Sequence, residues 1–441
     1  MQTPRAFLEK LIEYAISETQ PKRILSKILP QKPTQGRSIV LALGKAAPQM
    51  AATIDKIWES PFEGIMLGLD DQDDQDLCKT LKNFKILRAS HPFSNLKGIE
   101  ASEYIIKRLC NLAKDDHVFV FLSGGASALL AGLPPNGCLE TVNDTVQKMM
   151  NQGANIFQLN MFRRVYSNIR GGRLAQICAP ANVTTFAISD VPGDDPLYIA
   201  SGPTHASPIE YEDLKKLLLQ FNIEPMAELK EACNLTPASL SNIATTKIIL
   251  KPMDALNAME EVAQKYFART RFNHPLHAPK KPLEIINLGD LIEGDVISVA
   301  QNLIAIARTC LLHHKPCTPP CLILSGGETT VKITTPHGKG GPNSTLALAC
   351  SDLIKPHEPI YLISVDSDGK DGNTGMGGYT DASTKVILQS QNINIKYEIA
   401  TNNAYNTLLK ANSAIESKST FTNVNDLRAI LILDQKPQSM D

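Results

Sequence analysis

The stretch Val118–Leu130, VFVFLSGGASALL, decides the fold. A run of β-branched and aromatic residues falls into Ser123-Gly124-Gly125, then into small residues able to open a helix. A short apolar run ended by glycines reads as a buried parallel strand. The glycine pair lets the backbone turn sharply and approach a ligand, and a helix starting there offers N–H groups to an anion. The device returns at Cys321–Val331, CLILSGGETTV, where Ser325-Gly326-Gly327 leads to Glu328. Two such devices predict an α/β protein of two lobes that share one cleft.

Moving outward, SIVLAL (38–43) is a strand ending in Gly44-Lys45. A lysine at that point is placed to hold a phosphate, although the frame is not a Walker A loop. Helical spacing before it, broken at Pro21, predicts two helices within 5–29. A short strand at 65–68 leads to Asp70, Asp71, Asp73, Asp74 and Asp76, read as a solvated acidic loop. Residues 84–87 form a strand leading to His91. A helix over 139–151 is followed by a helical piece over 155–175 that carries Arg163, Arg164, Arg170 and Arg173 and is interrupted at Gly171-Gly172. The strand at 183–188 releases SDVPGDDP, in which Asp190, Asp194 and Asp195 suit Mg²⁺ binding or a general base.

Later strands are expected at 247–250, 283–288 and 361–365, with a helix over 295–312. The segment 274–281 reads as a linker, and the tail after Pro437 as frayed. The turn Gly338-Lys339-Gly340-Gly341 predicts a helix capped near Asn343 or Ser344. The acidic loop 366–381 does not fit an EF-hand and is read as facing substrate or metal.

Composition narrows the function. Lys plus Arg number 44 against 45 Asp plus Glu, so no electrostatic footprint for nucleic acid or an anionic membrane exists. The N-terminus lacks a signal-peptide core, and no apolar run approaches membrane length. Nine cysteines in a long chain fit reduced thiols and a cytoplasmic setting. His313, His314, Cys317 and Cys321 are metal-ligand types, but Pro316, Pro319 and Pro320 mark a linker, so zinc is not expected.

Seven ordered blocks carry a resemblance: LALGKAA (41–47), SHP (90–92), FLSGGASALL (121–130), LNMFRRVYSNIRGGRLA (159–175), SDVPGDDPLYIASGPT (189–204), LGDLIEGD (288–295) and LSGGETTV (324–331). Together they resemble the type 2 glycerate kinases, whose C-terminal half is called the MOFRL domain. The resemblance implies a Rossmann-like lobe over 1–312, with a helical 1–37, and a smaller α/β MOFRL-type lobe over 313–441, with the active site in the interdomain cleft. It implies a kinase that uses ATP and Mg²⁺ to phosphorylate D-glycerate to 2-phosphoglycerate. Its implied catalytic residues are Lys45, Asp190 and Glu328. Ser123, Gly124, Gly125, Arg163, Arg170, Ser325, Gly326 and Gly327 are implied to bind substrate or phosphate. The SDVPGDDP loop offers Asp190 and Asp194 as metal ligands. The expected partners are a small hydroxy acid and a nucleotide, with a homodimer left open.

Two departures stand out. Pro342 occupies the place of a family arginine, and the loop from 366 has Ser367 and Asn373 where the family pattern differs. A homologue with another substrate or little turnover is therefore the first alternative. A hydroxypyruvate reductase is the second, although no G-x-G-x-x-G fingerprint follows a strand.

Overall fold

Ser38–Leu43 is buried at every position, so it forms an interior strand, β1, rather than an edge. The computed structural model, which describes residues 3–59, 61–240, 244–269, 282–332, 338–372 and 374–434, builds two compact units. The first comprises Pro21–Lys251 and Phe421–Asn423. Among its described residues β1 joins β2 (Glu63–Leu69), β3 (Phe84–Ala89), β4 (His117–Leu122), β5 (Asn182–Ile188) and β6 (Ala244–Leu250) in a sheet of order β3-β2-β1-β4-β5-β6. Every pairing is parallel. This is the Rossmann order, and the chain reverses direction across the sheet between β1 and β4. Ligands in such sheets bind where the carboxyl ends of the strands diverge, and both Gly44-Lys45 and Ser123–Gly125 leave the sheet there.

The core of this unit follows from alternation. Ile39, Leu41, Leu43, Val118, Val120 and Leu122 join one apolar cluster. Phe121 stacks on Phe186 with ring centroids 5.0 Å apart, and Trp58 meets Phe119 edge-on at 5.1 Å. The acidic loop after β2 is not wholly solvated: Asp74 is buried and held by Arg88 at 2.5 Å. A buried carboxylate persists only when paired, and the β3 arginine pairs it.

The second unit comprises the described parts of Met1–Gln20, Pro252–Thr420 and Val424–Asp441. Its strands are β7 (Glu284–Asn287), β8 (Gly294–Asp295), β9 (Cys321–Gly326), β10 (Thr329–Thr330), β11 (Ile360–Asp366), β12 (Gly377–Thr380), β13 (Ala414–Ile415) and β14 (Asp426–Ile432). Six form a mixed sheet of order β13-β12-β11-β14-β9-β7, and β8 pairs with β10. The expected boundary at 312/313 is corrected to 251/252, with the first helix also on the far side. The reason is pairing: β7 lies parallel to β9, joined by the crossover helix Val296–His313, so 284–313 cannot leave this sheet. The helix Pro4–Glu18 buries Phe7, Leu8, Leu11, Ile12 and Ala15 in the same unit, with Phe7 edge-on to Phe267 at 6.0 Å. The second N-terminal helix, Pro21–Ile28, belongs to the first unit.

The helix Val296–His313 also corrects the expectation about apolar runs. Its mean hydropathy of 1.4 over 18 residues makes it long and apolar enough to cross a membrane by length and composition. Its buried stripe, Val296, Val299, Ala300, Leu303, Ile304, Ala307 and Leu311, has the spacing of a helix packed on a core. The expected linker at 274–281 and the tail after Pro437 lie outside the described residues.

Candidate active site

The turns that follow β1 and β4 are stitched together at the backbone. Lys45 N–H donates to the Gly124 carbonyl at 2.9 Å, and Ser123 N–H to that of Leu43 at 3.0 Å. The Ser123 hydroxyl donates to Leu43 O at 3.2 Å and accepts from Ala46 N–H at 3.0 Å. It is fully buried, so it fixes the two turns against each other rather than facing a ligand. Gly44, at φ 111°, is needed because a Cβ there would stand 2.4 Å from both the Ser123 carbonyl oxygen and its Oγ. The helix that follows Gly125 is a single turn, Ala126–Leu129, shorter than the anion-holding helix expected from the sequence.

Gly124 decides what sits beside this turn. A Cβ on it would lie 1.7 Å from Asp190 Oδ2 and 1.9 Å from Asn423 Nδ2. Asp190, released by β5, therefore rests on bare backbone, and Asn423 Nδ2 donates to its Oδ2 at 2.9 Å. A Cβ on Gly125 would meet Lys45 Cγ at 3.1 Å and His91 Cδ2 at 3.4 Å, so those side chains flank the next residue of the turn. Lysine, aspartate and histidine from three loops thus gather around two glycines.

Beyond the turn lies an unusual concentration of positive charge. Arg170 is 1% exposed; its Nε donates to Ser167 Oγ at 3.1 Å and its Nη1 to the Ser127 carbonyl at 2.8 Å. Its Nη2 is buried with no hydrogen-bond partner, as are Nε of Arg164 and Nε of Arg173. Among the described residues no carboxylate makes a salt bridge to Arg163, Arg164, Arg170 or Arg173, and only Arg164 feels one nearby, that of Asp195. Burial, with Arg163 and Arg173 close by, pushes the Arg170 guanidinium down to about 9. Burial alone takes Arg163 to about 10. Desolvated cations without an internal counter-ion are costly, and an anion brought by a ligand would relieve that cost.

The backbone around this charge is strained. Ala200, Ser201 and Gly202 adopt φ 52°, 59° and 56° in succession. Two of the three are not glycine, and such residues cost on the order of 1–3 kcal/mol each. The carbonyls of Ser201, Gly202 and Pro203 accept from the N–H groups of Gly171, Gly172 and Leu174, so the IRGGR and ASGPT segments interlock. Ser201 Oγ donates to Asn160 Oδ1 at 2.6 Å, which leaves Ser127 Oγ as the donor in its 2.6 Å contact with Ser201.

Asp194 has a partner of its own. Its carboxylate pairs with Lys251 at 3.4 Å, while its Oδ1 is buried without a hydrogen-bond partner. Among the described residues no group of three His, Cys, Asp or Glu ligands forms around Asp190 and Asp194.

In the second unit the Ser325-Gly326-Gly327 turn is supported by Arg428, which is wholly buried. Its guanidinium donates to the carbonyls of Gly326 and Gly327 and to Asp426 Oδ2 at 3.0 Å. Ser325 is buried, whereas Glu328 is exposed. The helix after the glycine turn begins earlier than expected: Gly341 is its cap and Pro342 its first residue. Proline suits that position, where its missing N–H would have no helical partner. Asp371 accepts from the N–H groups of Asn343 at 2.9 Å and Ser344 at 2.7 Å. The 366–381 loop, read from sequence as facing substrate or metal, thus turns one of its carboxylates inward as a helix cap. Asn373 lies outside the described residues.

Asn423, Ser127, Ser201, Arg428 and Asp371 are the residues that sequence reasoning missed. Ser127 and Ser201 lay inside the quoted blocks and could have been singled out as hydroxyls beside glycine turns. Asn423 gave no signal, being 233 residues from Asp190.

Two family profiles match this sequence. One, described as a domain of unknown function, DUF4147, covers residues 7–234. The other, the MOFRL family, covers 321–426. A protein of Agrobacterium vitis with a provisional hydroxypyruvate reductase name is 31% identical over 434 residues, 97% of this chain and 94% of that protein. The D-glycerate 2-kinase of Thermotoga maritima is 29% identical over 430 residues, 96% of this chain and 97% of the enzyme. A crystal structure of glycerate kinase from Thermotoga maritima superposes with a TM-score of 0.77 at 27% identity, covering 97% of this chain and 99% of that one.

Proposed function

We propose a function from one premise: the chain belongs to the DUF4147–MOFRL family, that of the type 2 glycerate kinases. It is read as a cytoplasmic, ATP- and Mg²⁺-dependent kinase that phosphorylates D-glycerate, or a closely related small hydroxy acid, at the 2-hydroxyl. The observation that carries this reading is the carboxylate-free guanidinium group beside a turn that also holds Asp190 and Lys45.

Phosphoryl transfer needs positioning and charge neutralisation more than covalent chemistry. Lys45 would neutralise phosphate charge as a point charge. Arg163 and Arg170 would meet the carboxylate or phosphoryl group of substrate and product. Asp190, oriented by Asn423 and given room by Gly124, would accept the hydroxyl proton. Magnesium-bound ATP supplies the phosphoryl group when present; Asp190, and Asp194 through its unpartnered Oδ1, would be the oxygen donors offered to the ion.

A reductase reading lacks support at the same turn. After β1 the residues are Gly44-Lys45-Ala46-Ala47, without the glycine spacing that brings a dinucleotide pyrophosphate against the backbone. The test is an ADP-release screen with Mg-ATP and D-glycerate, L-glycerate and tartronate, run beside NAD(P)H oxidation with hydroxypyruvate. ADP release that requires D-glycerate and Mg²⁺ is expected. NAD(P)H oxidation without ADP release would replace the kinase by the reductase, and glycerate binding without turnover would make the chain a non-catalytic homologue.

A further inference from the structure

Cys310, Cys317 and Cys321 come from the last turn of the helix Val296–His313, the loop after it and the first residue of β9. Their sulfurs all lie within 4.8 Å of one another, with Cys310 and Cys317 at 3.6 Å. Exposures are 0%, 4% and 0%. His313 and His314, which the sequence set beside Cys317 and Cys321, are exposed, and the third thiol comes instead from the helix.

We propose that these three cysteines form a binding site for a soft d¹⁰ cation of the Cu(I) kind, held by three sulfurs and no fourth protein ligand. Metal–thiolate bonds of about 2.3 Å place three sulfurs at the corners of a triangle roughly 4 Å on a side. One pair lies at 3.6 Å and the others within 4.8 Å, so the sulfurs close on an ion by moving less than about 1 Å. Among the described residues no histidine nitrogen or carboxylate oxygen joins the group. An all-sulfur set selects thiophilic ions, and zinc in structural sites takes four ligands. The three belong to the apolar core of the second unit, which leaves a water poorly placed to complete a fourth position. Each thiol that binds as thiolate releases its proton to solvent, and the metal keeps its oxidation state.

The site is separate from the glycine turn. Cys321 starts β9 and Gly326 ends it, roughly 16 Å away along a strand. Packing of three neutral thiols as small apolar groups, or oxidation of Cys310 with Cys317, are the competing readings.

The full chain, reduced and anaerobic, is titrated with Cu(I) held by a competing chelator and, in parallel, with Zn(II). One Cu(I) per chain is expected, with preference over zinc, a thiolate charge-transfer absorption and a raised thermal midpoint. Losing a group that only hydrogen-bonds to a metal ligand weakens metal sites by about 10–100-fold, so Cys310→Ala, Cys317→Ala and Cys321→Ala should each weaken binding beyond that. Changes at exposed Cys110 and Cys138 should leave it unaltered. Should the alanine variants fold poorly, alkylation mapping of the unaltered protein decides: Cu(I) should protect these three cysteines together. Protection elsewhere, binding that follows Cys110 or Cys138, zinc preferred over Cu(I), or a Cys310–Cys317 disulfide with no Cu(I) uptake after reduction would each overturn the proposal.

Discussion

Gly124 carries more of the site than any charged residue, because its missing side chain is the space Asp190 and Asn423 occupy. Gly124→Ala meets the ends of side chains rather than backbone, so the fold should adjust while Asp190 is displaced. We expect ADP release to fall by at least two orders of magnitude with a small change in thermal midpoint; near-normal activity would show that Asp190 need not sit there. Lys45→Ala tests a different contribution. Loss of one charge on a transferring phosphoryl group should lower the rate about a hundredfold, equivalent to about 3 kcal/mol, with the circular dichroism spectrum unchanged. A loss within a few-fold would take Lys45 out of the chemistry. Much of this was legible in sequence, because glycine, lysine and aspartate lie in loops a few residues after apolar runs. Asn423 was not, since tertiary structure alone brings it to Asp190. The arginines were legible as types, but the lack of a compensating carboxylate appears only when the chain folds.

At the scale of elements, the cap on the helix Pro342–Leu353 makes a pH prediction. Burial raises the Asp371 carboxyl to about 6, against about 3.9 in an unfolded chain. The folded state therefore binds this proton more tightly, and the stability it contributes is full below about pH 4 and lost as pH rises through about 6. Two pKa units correspond to about 3 kcal/mol. Asp116 acts in the opposite sense: with burial opposing, hydrogen bonds from Arg37 hold it down to about 2. Its contribution is present above about pH 4 and lost as pH falls towards 2. Urea unfolding between pH 4 and 7 should thus show a decline that Asp371→Asn flattens. Asp426, also raised by burial, shares the region, so the difference between variant and natural protein is the quantity to measure. An unchanged slope would remove Asp371 as its source. β1, β4, β5 and β9 were readable as apolar runs ending in glycine or a polar turn. β14 was hidden because Arg428 interrupts an otherwise apolar run, and β12 because it begins with two glycines in a loop-like stretch.

For the whole molecule, the division into units was the least legible feature. Linkers rich in proline drew the boundary to 313, whereas strand pairing and helix burial set it at 252 and gave the first helix to the later unit. Phe7→Ala, at a fully buried ring, should cost about 3–5 kcal/mol. Hydrogen exchange should quicken in β11 and β14 rather than in β1 to β6; the reverse would place this helix with the first unit. The central claim is that the glycine turn at 123–125, with Asp190 on it, performs phosphoryl transfer to D-glycerate. Its most direct test is the D-glycerate-dependent formation of 2-phosphoglycerate, followed by coupling to enolase, for the natural protein and Asp190→Asn side by side. We predict product from the natural protein and a fall in kcat of about 10²–10⁴ in the variant; equal rates in the two, or no 2-phosphoglycerate from either, would contradict the account.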